Sequence, residues 1–122
     1  MVLIAFLYVV HGFAHLVGFI VSWRLAKMEE MPYRTTLLNG TVDVGHAGIR
    51  IVGILWLLTA LAFLGIATGM LTHWDGWLNA SIIIAGFSTL LCILGWPDAR
   101  IGLFLNLVIL AFTLLAKYFS WF

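Results

Sequence analysis

Charge is what this 122-residue sequence has least of. Six Lys and Arg and five Asp and Glu make up 9% of the chain, where a soluble domain carries about a quarter. So few charges cannot coat the surface of a soluble globule, and six cations at a net charge of +1 cannot build the basic face that nucleic acid requires, so no nucleic-acid partner is expected. The single cysteine, Cys92, excludes an internal disulfide. The two prolines, Pro32 and Pro97, both fall in polar interruptions, which leaves the apolar segments between them free of helix breakers. A cleavable leader is not expected either: the first segment has no positive n-region and is longer than a typical h-region.

What is present is hydrophobic. Apolar residues make up 64% of the chain and the mean hydropathy is +1.14. A length of 122 residues accommodates one domain of four spans of about 20 residues each with short connections. The interruptions set the boundaries: helices at about 2–23, 45–71, 77–96 and 99–118, with a polar loop over 24–44 and tight turns at 72–76 and 97–98. Backbone groups cannot go unpaired in hydrocarbon, and short turns make neighbours antiparallel. The expected fold is therefore all-α: a polytopic integral membrane protein built as an antiparallel four-helix transmembrane bundle.

The positive charges orient it. Arg24, Lys27, Arg34, Arg50 and Arg100 fall at one side and Lys117 at the other, so the 24–44 loop is expected in the cytoplasm and both termini away from it, as in a bacterial inner membrane. Trp23, Trp74, Trp77, Trp96 and Trp121 lie at helix ends, where an interfacial belt is expected. Trp56 alone lies mid-helix.

Polar residues inside the spans carry the functional question. At 100° per residue, Tyr8, His11, His15, Gly18 and Ser22 share one stripe of the first helix, opposite Phe6, Val9, Phe13, Leu16 and Ile20. Similar seams read His46, Arg50, Gly53, Leu57 and Ala60 on the second helix, Ser81, Ala85, Ser88, Cys92 and Gly95 on the third, and Ala99, Gly102, Asn106 and Thr113 on the fourth. At about 1.5 Å per residue, Arg50 and Cys92 are expected roughly 6 to 8 Å inside the cytoplasmic end, His15 and Asn106 about 11 to 12 Å, and His11 near the midplane. This polar column would bind an amphipathic small molecule, a membrane lipid or quinone-like head group. Arg50 would be its anion partner, His15 and Asn106 its hydrogen-bond donors, His11 its floor, and Tyr8 and His46 would complete the lining.

Two other readings are open. In one, the column fixes packing in a structural or accessory subunit of a homo-oligomer or larger membrane complex, helped by the Gly65–Gly69 small-residue pair. In the other, the histidines hold haem or a metal in an intramembrane redox protein, but the i, i+4 pair lacks the adjacent Glu of zinc peptidases, because Gly12 stands there. No nucleophile with a paired base is recognisable, so no catalytic residue or cofactor is assigned.

The stretches "HGFAHLVGF", "PYRTTLLNG", "DVGHAGIRIVGILWLLTAL" and "LGWPDARIGLFLNLVIL" together resemble an uncharacterised family of small bacterial four-helix membrane proteins, sometimes labelled transporter permease. The resemblance spans nearly the whole chain and implies the four-helix fold but no particular activity. No nucleotide motif supports an ATP-driven transporter. The likeness to DoxX-type membrane proteins is one of architecture and size.

Overall fold

The computed structural model describes residues 1–29 and 31–122. Its four helices are α1 (Val2–Ser22), α2 (Gly45–Leu71), α3 (Trp77–Leu94) and α4 (Arg100–Tyr118). All four are long and apolar enough to cross a membrane, and the fold is an antiparallel four-helix bundle with a membrane location. The expected boundaries hold to within two residues.

The helix ends explain how the chain leaves each span. At the end of α1, Arg24 N–H bonds the Val21 carbonyl at 3.0 Å and Leu25 N–H bonds the Ile20 carbonyl at 2.9 Å. These two bonds form a Schellman cap, whose left-handed position is filled here by Arg24 (φ 53). Helices α2 and α4 end alike, with His73 (φ 59) and Ser120 (φ 53) in that position and Trp74 and Trp121 bonding back to Gly69 and Ala116. Each cap satisfies carbonyls that the helix would otherwise leave bare at the membrane surface.

The polar stretch before α2 is not wholly irregular. It contains a short hairpin, β1 (Thr36–Leu37) against β2 (Val42–Asp43), antiparallel with Thr36 opposite Asp43 and Leu37 opposite Val42. Strands of two residues carry no alternation for a sequence pattern to show. The hairpin turn rests on the α3–α4 junction: Leu38 N–H donates to the Leu94 carbonyl at 2.8 Å and Asn39 N–H to that of Trp96 at 3.0 Å. Arg34 pairs with Asp98 at 3.2 Å. Asp43 accepts from the Gly45 amide at 2.9 Å and so holds the first turn of α2.

Two apolar clusters fill the bundle. One gathers Tyr8, Phe63, Ile66, Met70 and Trp77; the other gathers Trp56, Leu91 and Cys92. Trp56 reaches inward over Gly18, where an added Cβ would stand 2.5 Å from the indole Cγ. Glycine there is what admits the ring. The inward stripe of α1 is as expected, with Tyr8, His11, His15, Gly18 and Ser22 all buried. The α2 seam differs. Its buried face begins at Ile49 and continues through Gly53, Trp56, Ala60 and Phe63, because the large rings take the interior and their register turns His46 and Arg50 outward. The Gly65–Gly69 pair presents no continuous face: Trp74 covers Gly69, and a Cβ on Gly65 would meet nothing.

Candidate functional site

Between the two apolar clusters lies a polar layer. The His15 ring stands 5.1 Å from that of Phe63 on one side and 5.4 Å from that of Trp56 on the other. His11, His15, Ser88 and Asn106 are all buried, with Ser88 and Asn106 at 0% exposure. At such depth a polar atom left without a partner is costly.

The partners form a circuit with one consistent polarity. His15 Nδ1–H donates to the His11 carbonyl at 2.8 Å. In the neutral ring this leaves Nε2 as an acceptor, and it faces the Ser88 hydroxyl. Ser88 Oγ accepts from Asn106 Nδ2 at 2.7 Å, and Asn106 Oδ1 accepts from His11 Nε2–H at 2.8 Å. The chain of donors therefore leaves from the His11 ring and returns to the His11 backbone. Asn106 Nδ2 also reaches Cys92 Sγ at 3.4 Å. Among the described residues, two buried atoms stand outside the circuit without a partner: His11 Nδ1 and the Tyr8 hydroxyl.

These pairings correct the expected depths. His11, not His15, meets Asn106, and His15 meets Ser88. Counting along each helix assumes that the helix ends lie level and leaves out side-chain reach, so it does not fix which ring meets which partner. Two other hydroxyls of the seams bond within their own helices. Ser81 donates to the Trp77 carbonyl and Thr113 to that of Ile109, each at 2.8 Å and within its own helix.

Arg50 and His46 stand apart from this layer. Both are exposed, and they line a cleft of about 520 Å³ at the loop end of the bundle with Trp23, Arg24 and Tyr33. The cleft is built on aromatic rings. The Arg50 guanidinium lies 4.6 Å from the centre of the Trp23 ring, while the Trp23 indole N–H donates to the Arg50 carbonyl at 2.9 Å. The Arg24 guanidinium lies 4.5 Å from the centre of the Tyr33 ring, and that ring stacks on His46 with an interplanar angle of 12°. Arg24 Nη2 and the Tyr33 hydroxyl both reach His46 Nδ1, and Arg24 Nη2 also donates to the Tyr33 oxygen at 3.2 Å. Two acids at this end of the bundle are engaged elsewhere, Asp98 by Arg34 and Asp43 by the Gly45 amide.

Six sequence-selected residues thus divide into two sites. His11, His15 and Asn106 share the buried circuit, with Tyr8 beside it; His46 and Arg50 share the cleft. Sequence reasoning missed Arg24 and Tyr33, and assigned Trp23 to the interfacial belt alone. The signal available was the clustering of arginines and aromatics around the end of α1 and the start of α2. Among the described residues no group of three His, Cys, Asp or Glu converges as a metal site. No family model, curated protein or solved structure matches this chain.

Proposed function

We propose that the protein binds an amphipathic membrane lipid by its anionic head group, in the cleft between the end of α1 and the start of α2. The carrying observation is the convergence of Arg24 and Arg50 on that cleft, each laid on an aromatic ring, with neither in an ion pair among the described residues. A guanidinium whose face rests on a ring keeps its N–H edge for an anion, and that edge matches two oxygens of a phosphate or carboxylate; Arg50 presents its whole edge, whereas Arg24 spends Nη2 on Tyr33 and His46 and presents Nε and Nη1. Trp23 adds an interfacial anchor at the same level. A quinone head group has carbonyl acceptors but no charge and would use less of this donor set. The setting proposed is a bacterial inner membrane with the cleft on its cytoplasmic face, supported by the charges gathered at that end.

The buried circuit supports a structural part beside this one. Its bonds close on themselves and link α1, α3 and α4, as expected of a device that sets helix register, and the same feature favours the accessory-subunit reading as the alternative.

Native mass spectrometry of protein purified in mild detergent tests the proposal. Arg50→Leu should strip most co-purifying anionic lipid, and Arg50→Lys should keep part of it, because charge survives while the planar fork is lost. Unchanged lipid content in an Arg24→Gln/Arg50→Leu double variant would sink the reading.

A further inference from the structure

The cleft does not end at Arg24. A second, wider groove of about 1000 Å³ adjoins it and shares Arg24, Tyr33 and His46. Lys27 stands on its wall with Val21, Leu25 and Met28. Arg24 is thus the common wall of two grooves, with Arg50 lining the first and Lys27 the second. The Schellman cap fixes this arrangement, because the left-handed backbone at Arg24 turns the chain off the helix axis there and sends Lys27 away from Arg50. Three cations line the pair of grooves, and Glu29 is the one acid among their described lining residues.

Resting on the lipid reading above, we infer that the head group carries two phosphates, one turned toward each groove and both facing Arg24. A single phosphodiester carries one charge, and with Glu29 it offsets two of the three cations that line the pair of grooves. Two phosphates set Arg24 and Arg50 on one and Arg24 and Lys27 on the other, and together with Glu29 they balance all three cations. The apolar wall of the second groove, Val21, Leu25 and Met28, lies where an acyl or prenyl chain descends from the head group. Two sources supply this chemistry: a bisphosphatidyl lipid of the cardiolipin type and a prenyl diphosphate.

The experiment titrates four probes into the detergent-solubilised full chain and reads binding by native mass spectrometry. They are phosphatidylglycerol against cardiolipin, and farnesyl monophosphate against farnesyl diphosphate. The two-phosphate member of at least one pair should bind about fivefold more tightly than its one-phosphate partner, the weight of one additional cation facing an anionic group at a membrane surface. The pair that shows the preference identifies the source. Lys27→Gln should abolish that preference and leave one-phosphate binding within twofold, whereas Arg50→Leu should weaken both. Lys27 is exposed, so its variant tests binding rather than folding. If each two-phosphate probe binds no better than its partner, or if Lys27→Gln leaves the preference intact, the two-groove assignment fails while the lipid reading stands. If no probe binds, both fail.

Discussion

Asn106→Leu removes the residue that connects α4 to both α1 and α3. Asn106 accepts from His11 at 2.8 Å and donates to Ser88 at 2.7 Å, and it is fully buried. Interhelical hydrogen bonds in a membrane bundle average only about 0.6 kcal/mol each. Loss of the two bonds would therefore cost roughly 1 kcal/mol. The greater cost comes from what remains: the His11 Nε2–H loses its acceptor in a site closed to water, and a buried unsatisfied donor costs about 1–3 kcal/mol. The expected loss is about 2–4 kcal/mol. His11→Leu should cost a similar amount, since it strands the Asn106 carbonyl instead. The double variant removes donor and acceptor together, so it should be more stable than the sum of the single losses predicts, by about 1–2 kcal/mol. Equilibrium unfolding in mixed micelles with rising SDS measures all four corners of the cycle. Single losses under about 0.5 kcal/mol, or additivity within about that margin, would refute the circuit as a stabilising unit.

Further outcomes follow from the packing and the surface. Gly18→Ala drives a Cβ to 2.5 Å from the Trp56 ring and should cost about 1–3 kcal/mol in the same titration, whereas Gly65→Ala, whose Cβ meets nothing, should cost nothing and stabilise by up to about 1 kcal/mol. Arg34→Ala breaks an ion pair whose arginine is 49% exposed and whose aspartate is 18% exposed, and should change stability by no more than about 1 kcal/mol; a larger loss would show that the hairpin clamp depends on it. A thiol probe placed at Gly40 in a Cys92→Ala background should react from the cytoplasmic side, and a tag appended after Phe122 from the opposite side. The reverse pattern would turn the cleft to face the other compartment.

How far the sequence could be read depended on what decided each feature. The four spans were legible because their apolar runs and polar interruptions follow from the cost of exposing backbone to hydrocarbon, and nothing tertiary overrides that cost. The α1 stripe was legible because a helix with no charge and few polar groups must turn those few inward. The α2 seam was not, because either Ile49 or Arg50 can begin a plausible face, and only the placement of Trp56 and Phe63 against α1 decides between them. The pairings within the polar layer depend on side-chain reach over distances smaller than one helical turn, which an axial count cannot resolve. The cleft was missed for another reason. Two of its residues, Arg24 and Tyr33, lie outside regular helix, where no periodicity relates them to His46.

The circuit also sets an order of events during synthesis. A ribosome delivers α1 first, yet the acceptor for His11 lies 95 residues further along and the partner of His15 lies 73 residues further along. Until α3 and α4 emerge, the first span holds two imidazoles that have met the Trp56 and Phe63 rings of α2 but not their hydrogen-bonding side chains. A chain that stops short of the fourth helix therefore leaves the His11 ring without its Asn106 acceptor inside the span.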